Sequence, residues 1–211
     1  MRIRKNALNT LIISALVALV ALVLTLLGMG MKFNFGAAAV MDYKALFLAI
    51  LAAAAVSFLF GWLRYNLAGA LTLGIAVVHD QLLSLALCAI LSLVFGLSAY
   101  LPAFLLCGVA ATYCFTVPWL REARLQLRSA SSRDMTRERA AALAFEKTRP
   151  LCIFALAAAV LLLVAFLVSG NAAMAGNLLP LFTGLVSAAL SARLMTPSLW
   201  ATFAFGRGSR K

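Results

Sequence analysis

Runs of about twenty apolar residues, each ended by a basic residue or a Gly, Asn or Pro cluster, recur along the chain and restrict its fold more than any other feature. A bilayer core about 30 Å thick is crossed by about 20 residues of α-helix, which pairs its backbone polar groups internally and so survives without water. Six such runs can be cut, over residues 7–29, 45–63, 67–87, 102–120, 151–168 and 178–195. The composition agrees. Of 211 residues 65% are hydrophobic and 11% charged, with a mean hydropathy of +1.05, against about 45–50% apolar and about a quarter charged in a soluble domain. That excess cannot be hidden inside so short a chain, so lipid must be part of its solvent. A soluble enzyme, a disordered tail, a disulfide scaffold and a free nucleic-acid-binding domain are excluded. The expected fold is all-α, a single six-helix membrane domain over residues 1–211.

A net charge of +12 could suggest a nucleic-acid partner, but the bases sit at the ends of the apolar runs. There the positive-inside rule expects them, on the cytoplasmic side. With the N-terminus inside, Arg2, Arg4, Lys5, Arg64, the eight bases of segment 121–149, and Arg207, Arg210 and Lys211 are all cytoplasmic, fifteen of the eighteen Lys and Arg residues. Lys32 and Lys44 fall outside, and Arg193 lies within the last run. The topology expected is therefore N-in and C-in. The first run resembles a signal peptide in its basic start and in Ala37–Ala39 downstream. An apolar stretch past twenty residues is too long for an h-region of about 7–15, which favours an uncleaved anchor.

Segment 121–149 is the one sizeable polar piece, a basic cytoplasmic loop. Its stretch 137–147, RERAAALAFEK, is made of good helix formers and is expected as a helix lying on the membrane surface, its bases giving orientation and headgroup contact. Gly184, Ala188 and Ala192 recur at spacing four in the last run, and Ala52–Ala55 make a smooth patch in the second. Small residues at that spacing let helix backbones approach closely in lipid.

Few residues could carry chemistry. Charges inside a bilayer are expensive, and only His79–Asp80 and Arg193 qualify. His79 and Asp80, beside Gln81 in the outer half of the third run, read either as a polar pair bonding adjacent helices or as a proton or ion relay. Arg193, near the cytoplasmic end of the last run, is expected to snorkel to the interface. Cys88, Cys107, Cys114 and Cys152 form no C-x-x-C pair and read as small buried hydrophobes. With one histidine and no H-E-x-x-H, G-x-S-x-G or P-loop motif, no enzyme, catalytic residue, metal or cofactor is expected.

The order of residues adds a resemblance. Residues 76–87, AVVHDQLLSLAL, resemble the third helix of SecF, the protein-export membrane subunit, in which an apolar run carries His-Asp. Leu120, Arg121 and Glu122 are similar to the end of that family's D-R-I-R-E-N motif. Residues 31–36, MKFNFG, resemble its G-x-D-F-x-G-G, and residues 196–200, TPSLW, its closing A-P-x-L-W. Lys147–Thr148 stands where the family has Arg-Thr at the start of the fifth helix. The resemblance implies half of an RND-type transmembrane unit in the bacterial inner membrane, with a SecD-like membrane protein as partner, the Sec channel beyond it, and proton flow assisting export.

The departures matter too. The family's extracytoplasmic domain shrinks to residues 30–44. Its fourth-helix Asn-Asp falls on Ala111 and Thr112, and Pro118 replaces the aspartate of D-R-I-R-E. Neither alanine nor threonine ionises in a usable range. The leading expectation is thus a SecF-like accessory subunit acting by helix assembly. The alternative is a small proton- or ion-coupled transporter of RND ancestry using His79 and Asp80.

Overall fold

A computed structural model describes residue 12 and residues 43–95, 101–128, 136–170 and 172–204. The first predicted run apart from residue 12, residues 31–36, the connection 30–42 and the C-terminal bases lie outside those residues. Within them the fold is all-helical: α1 Tyr43–Arg64, α2 Leu67–Phe95, α3 Leu101–Arg128, α4 Arg137–Ser169, α5 Ala172–Leu194 and α6 Thr196–Ala204.

Four of these helices are long and apolar enough to cross a membrane, and α5 with α6, bent by 45° at Met195, makes a fifth if the pair is one span. Burial supports the membrane reading independently. In a water-soluble protein the most apolar helix is the best covered, because water drives apolar surface inward. Here the order is inverted. The most apolar stretch, in α4, is only 12% buried, whereas the less apolar stretch of α2 is 56% buried. Leu151, Ile153, Phe154, Val160, Leu161 and Val168 all face outward from α4. The chain is built as a multi-pass membrane protein, with outward apolar faces on α1 and α4.

Helix α5 packs on α2, α3 and α4, and α1 lies against α2. The α1–α2 turn takes only Tyr65 and Asn66. Asn66, at φ 152°, turns the chain and caps α2 by accepting a bond from the Gly69 amide at 2.9 Å. Three core clusters stack along the bundle. Trp119, Leu73, Ala144 and Trp200 pack at the basic end, Ala111, Phe115, Ala188 and Ala192 come next, and Leu46, Ile50, Leu85 and Phe104 fill the far end. Glycines set the closest approaches. A Cβ on Gly61 would stand 2.7 Å from Ala70 Cα, and one on Gly184 3.2 Å from Gly108 Cα.

Several boundaries differ from the sequence reading. The surface helix 137–147 and the fifth run are one helix, α4, 33 residues long with Pro150 inside. Proline removes a single ladder bond there, whereas ending the helix would orphan four amides and four carbonyls at membrane level. Thr136 caps its start and Gly170, at φ 59°, its end. The expected connection 169–177 is correspondingly short, since α5 begins at Ala172. Helix α2 continues from Leu87 to Phe95, because no charge, glycine or proline interrupts it. His79 and Asp80 therefore sit at mid-helix, not in its outer half.

Candidate functional site

At mid-bundle α2, α3 and α5 meet around a carboxyl group. Asp80 is fully buried at the level of the whole residue. Its Oδ2 accepts a hydrogen bond from Thr112 Oγ1 at 2.8 Å, and its Oδ1 lies 3.2 Å from His79 Nδ1, which donates in the tautomer protonated there. Adjacent residues on a helix point about 100° apart, yet these two side chains swing together. The histidine keeps 12% of its side-chain surface open and the aspartate 1%. From α5, the Ser191 hydroxyl faces the same carboxyl without closing a hydrogen bond.

The neighbouring turns extend the junction. Gln81 Nε2 donates to the Leu105 carbonyl at 3.0 Å, while its Oε1 is buried without a partner. A Cβ on Gly108 would stand 2.5 Å from that Nε2, so glycine is what lets the amide reach the α3 backbone. One turn beyond Asp80, Ser84 Oγ donates to Thr183 Oγ1 at 2.9 Å, and Cys88 Sγ lies 3.0 Å from the same hydroxyl. Asp80, Ser84 and Cys88 on α2 thus oppose Thr183, Ser187 and Ser191 on α5, each set at spacing four. Such hydroxyls are inexpensive in lipid because they can return a proton to their own helix. Thr183 reaches Leu179 O and Ser187 reaches Gly184 O in this way. The stripe Gly184, Ala188, Ala192 runs beside this polar one, and Ala188 and Ala192 are buried against α3 residues Ala111 and Phe115. The polar stripe on α5 was missed in the sequence although its spacing was readable.

A second constellation lies at the basic end. Lys147 Nζ on α4 pairs with Glu122 Oε1 on α3 at 2.6 Å, and Gln126 Nε2 donates to the same oxygen at 2.6 Å. Arg124 Nη1 donates to the Arg64 carbonyl, fastening α3 to the end of α1. Two positions of the resemblance, far apart in sequence, therefore meet, while Arg121 is exposed beside them. Thr148 is occupied within its own helix, bonding Ala144 O at 2.9 Å. Lys147 pulls the Glu122 carboxyl below the ordinary carboxylate range, helped by Gln126.

Arg193 is exposed on α5 and takes no part in the Asp80 junction. It follows Ser191 by two residues, about 200° round the helix, and so faces α4 and α6. None of the four cysteines forms a disulfide; Cys88 is buried, but Cys114 is exposed, which corrects the expectation of four buried hydrophobes. Facing lipid, a thiol serves as a small apolar group as well as it would in a core. Chemically, the junction offers a buried carboxyl with one hydroxyl donor, Thr112, and the Ser191 hydroxyl facing it. No protein-family model, curated protein or solved structure matches the chain.

Proposed function

We propose that the chain is a SecF-like accessory subunit of bacterial protein export, a six-span, N-in and C-in protein of the inner membrane that assembles with a SecD-like partner and performs no covalent chemistry. The observation that carries this reading is the Thr112–Asp80 bond. In the resembling family a second acid stands at the Thr112 position, and here a threonine stands there with its hydroxyl directed at the Asp80 carboxyl. A carboxyl held between helices in this way serves assembly. The ordered motifs at residues 76–87, 120–122 and 196–200, and the Glu122–Lys147 pair joining two motif positions, point the same way. The outward apolar faces of α1 and α4 leave room for another membrane protein as well as for lipid.

A second reading, a small proton- or ion-coupled transporter, draws on the contact between buried Asp80 and the partly open His79, which could link the carboxyl to the bundle surface. Purification from mild detergent separates the two. Recovery of a SecD-like protein or the export channel in stoichiometric amount supports the accessory subunit. Recovery of an isolated homo-oligomer overturns it in favour of the transporter.

A further inference from the structure

Helix α6 is flanked by two cavities, and each holds one arginine in a mostly apolar lining. The larger, of about 350 Å³, is lined by Leu67, Leu71, Leu127, Trp200 and Phe203 together with Asn66 and Arg137. The smaller, of about 200 Å³, lies between Ala141 and Phe145 of α4 and Pro197 and Ala201 of α6, with Arg193. Neither arginine meets a carboxylate among the described residues, where the ion pairs are Glu122 with Lys147 and Asp80 with His79.

We propose that these two cavities seat the headgroups of anionic phospholipids. The argument is one of charge and position. An arginine fork binds a phosphate through two parallel hydrogen bonds, and both forks lie toward the end of the bundle that carries the Arg64–Arg124 contact. A helical bundle that crosses a bilayer puts its ends at headgroup level whichever way it is inserted. The rest of the lining, mostly apolar apart from Asn66 and Ser198, suits the glycerol and first methylenes of a lipid better than a free phosphate ion. Leu67, 53% exposed, leaves the larger cavity with an open apolar side. A net-neutral lipid carries its own ammonium beside the phosphate, and the local excess of base disfavours it; an acidic headgroup relieves that excess. The assignment does not depend on the export reading, since it concerns only this chain and its bilayer.

The test uses the full chain in mild detergent, titrated with phosphatidylglycerol or phosphatidylcholine, with retained lipid counted by native mass spectrometry and Tm recorded in parallel. Phosphatidylglycerol is expected to raise Tm by about 4 °C more than phosphatidylcholine. Arg137→Gln and Arg193→Gln should each weaken its retention about fivefold. Arg149→Gln, which removes an exposed base outside both cavities, should leave retention unchanged. Arg137→Lys and Arg193→Lys keep the charge and control for folding, and should fall between. Equal stabilisation by the neutral lipid, an equal response to millimolar inorganic phosphate, or undiminished acidic-lipid retention by the Arg137→Gln, Arg193→Gln double variant would overturn the proposal.

Discussion

Asp80 decides most at the scale of the residue, because an ionised carboxylate in a bilayer costs several kcal/mol unless donors compensate it. Its two oxygens meet two donors, Thr112 and His79. Thr112 has a second outlet, the Gly108 carbonyl at 3.1 Å, so losing the acid orphans little on α3, whereas losing the threonine orphans an oxygen of the acid. Thr112→Val, nearly isosteric, should therefore destabilise the fold by about 1–3 kcal/mol, and Thr112→Ser should restore most of that in thermal unfolding. Asp80→Asn keeps size and hydrogen-bonding capacity and should assemble at wild-type levels, while Asp80→Leu should not. Loss of proton-driven export stimulation in vesicles by Asp80→Asn, with the complex intact, would overturn the assembly role and make His79 and Asp80 a relay. The His79–Asp80 pair was legible from the sequence because charge is rare in apolar runs. Its partners were not: threonine and serine are common in such runs, and only the packing of α2 against α3 and α5 shows which of them face the acid.

At the scale of the element, glycine and alanine set how near the helices come, and the distances rank the consequences. A Cβ on Gly61 meets the Ala70 backbone at 2.7 Å, which cannot yield without parting α1 from α2. A Cβ on Gly74 meets Phe58 Cβ at 3.4 Å, an ordinary contact. Gly61→Ala should thus cost about 1–3 kcal/mol. Gly74→Ala should be neutral or stabilising by up to about 1 kcal/mol, the helix-propensity difference. Ala188, buried between α5 and α3, should tolerate leucine no better than Gly61 tolerates alanine, and recovery of folded protein from detergent would measure both. The stripe at 184, 188 and 192 was visible as spacing, but which helix it meets was not. Continuity across Pro150 was likewise hidden, because charge and proline mark a helix end equally well in a sequence, and only the cost of orphaned backbone groups at membrane level distinguishes the cases.

For the whole molecule, the apolar runs made the helical membrane class legible, since each must span or be covered, and the inverse relation of hydropathy to burial in α2 and α4 reflects the same solvent. Orientation is a separate matter that depends on charge. The contacts draw Arg64, Arg124, Glu122 and Lys147 together at one end of the bundle, next to Arg137 and Arg193. Inserting that end outward would carry these bases across the membrane, against the bias that sets topology. Single cysteines at Val40, Ala173 and Ser131, probed in intact cells with a membrane-impermeant maleimide, read this out directly. Labelling is expected at 40 and 173, with 131 reacting only after the membrane is opened. The converse pattern would reverse the bundle, place the Glu122–Lys147 end outside, and remove the topological basis of the export reading.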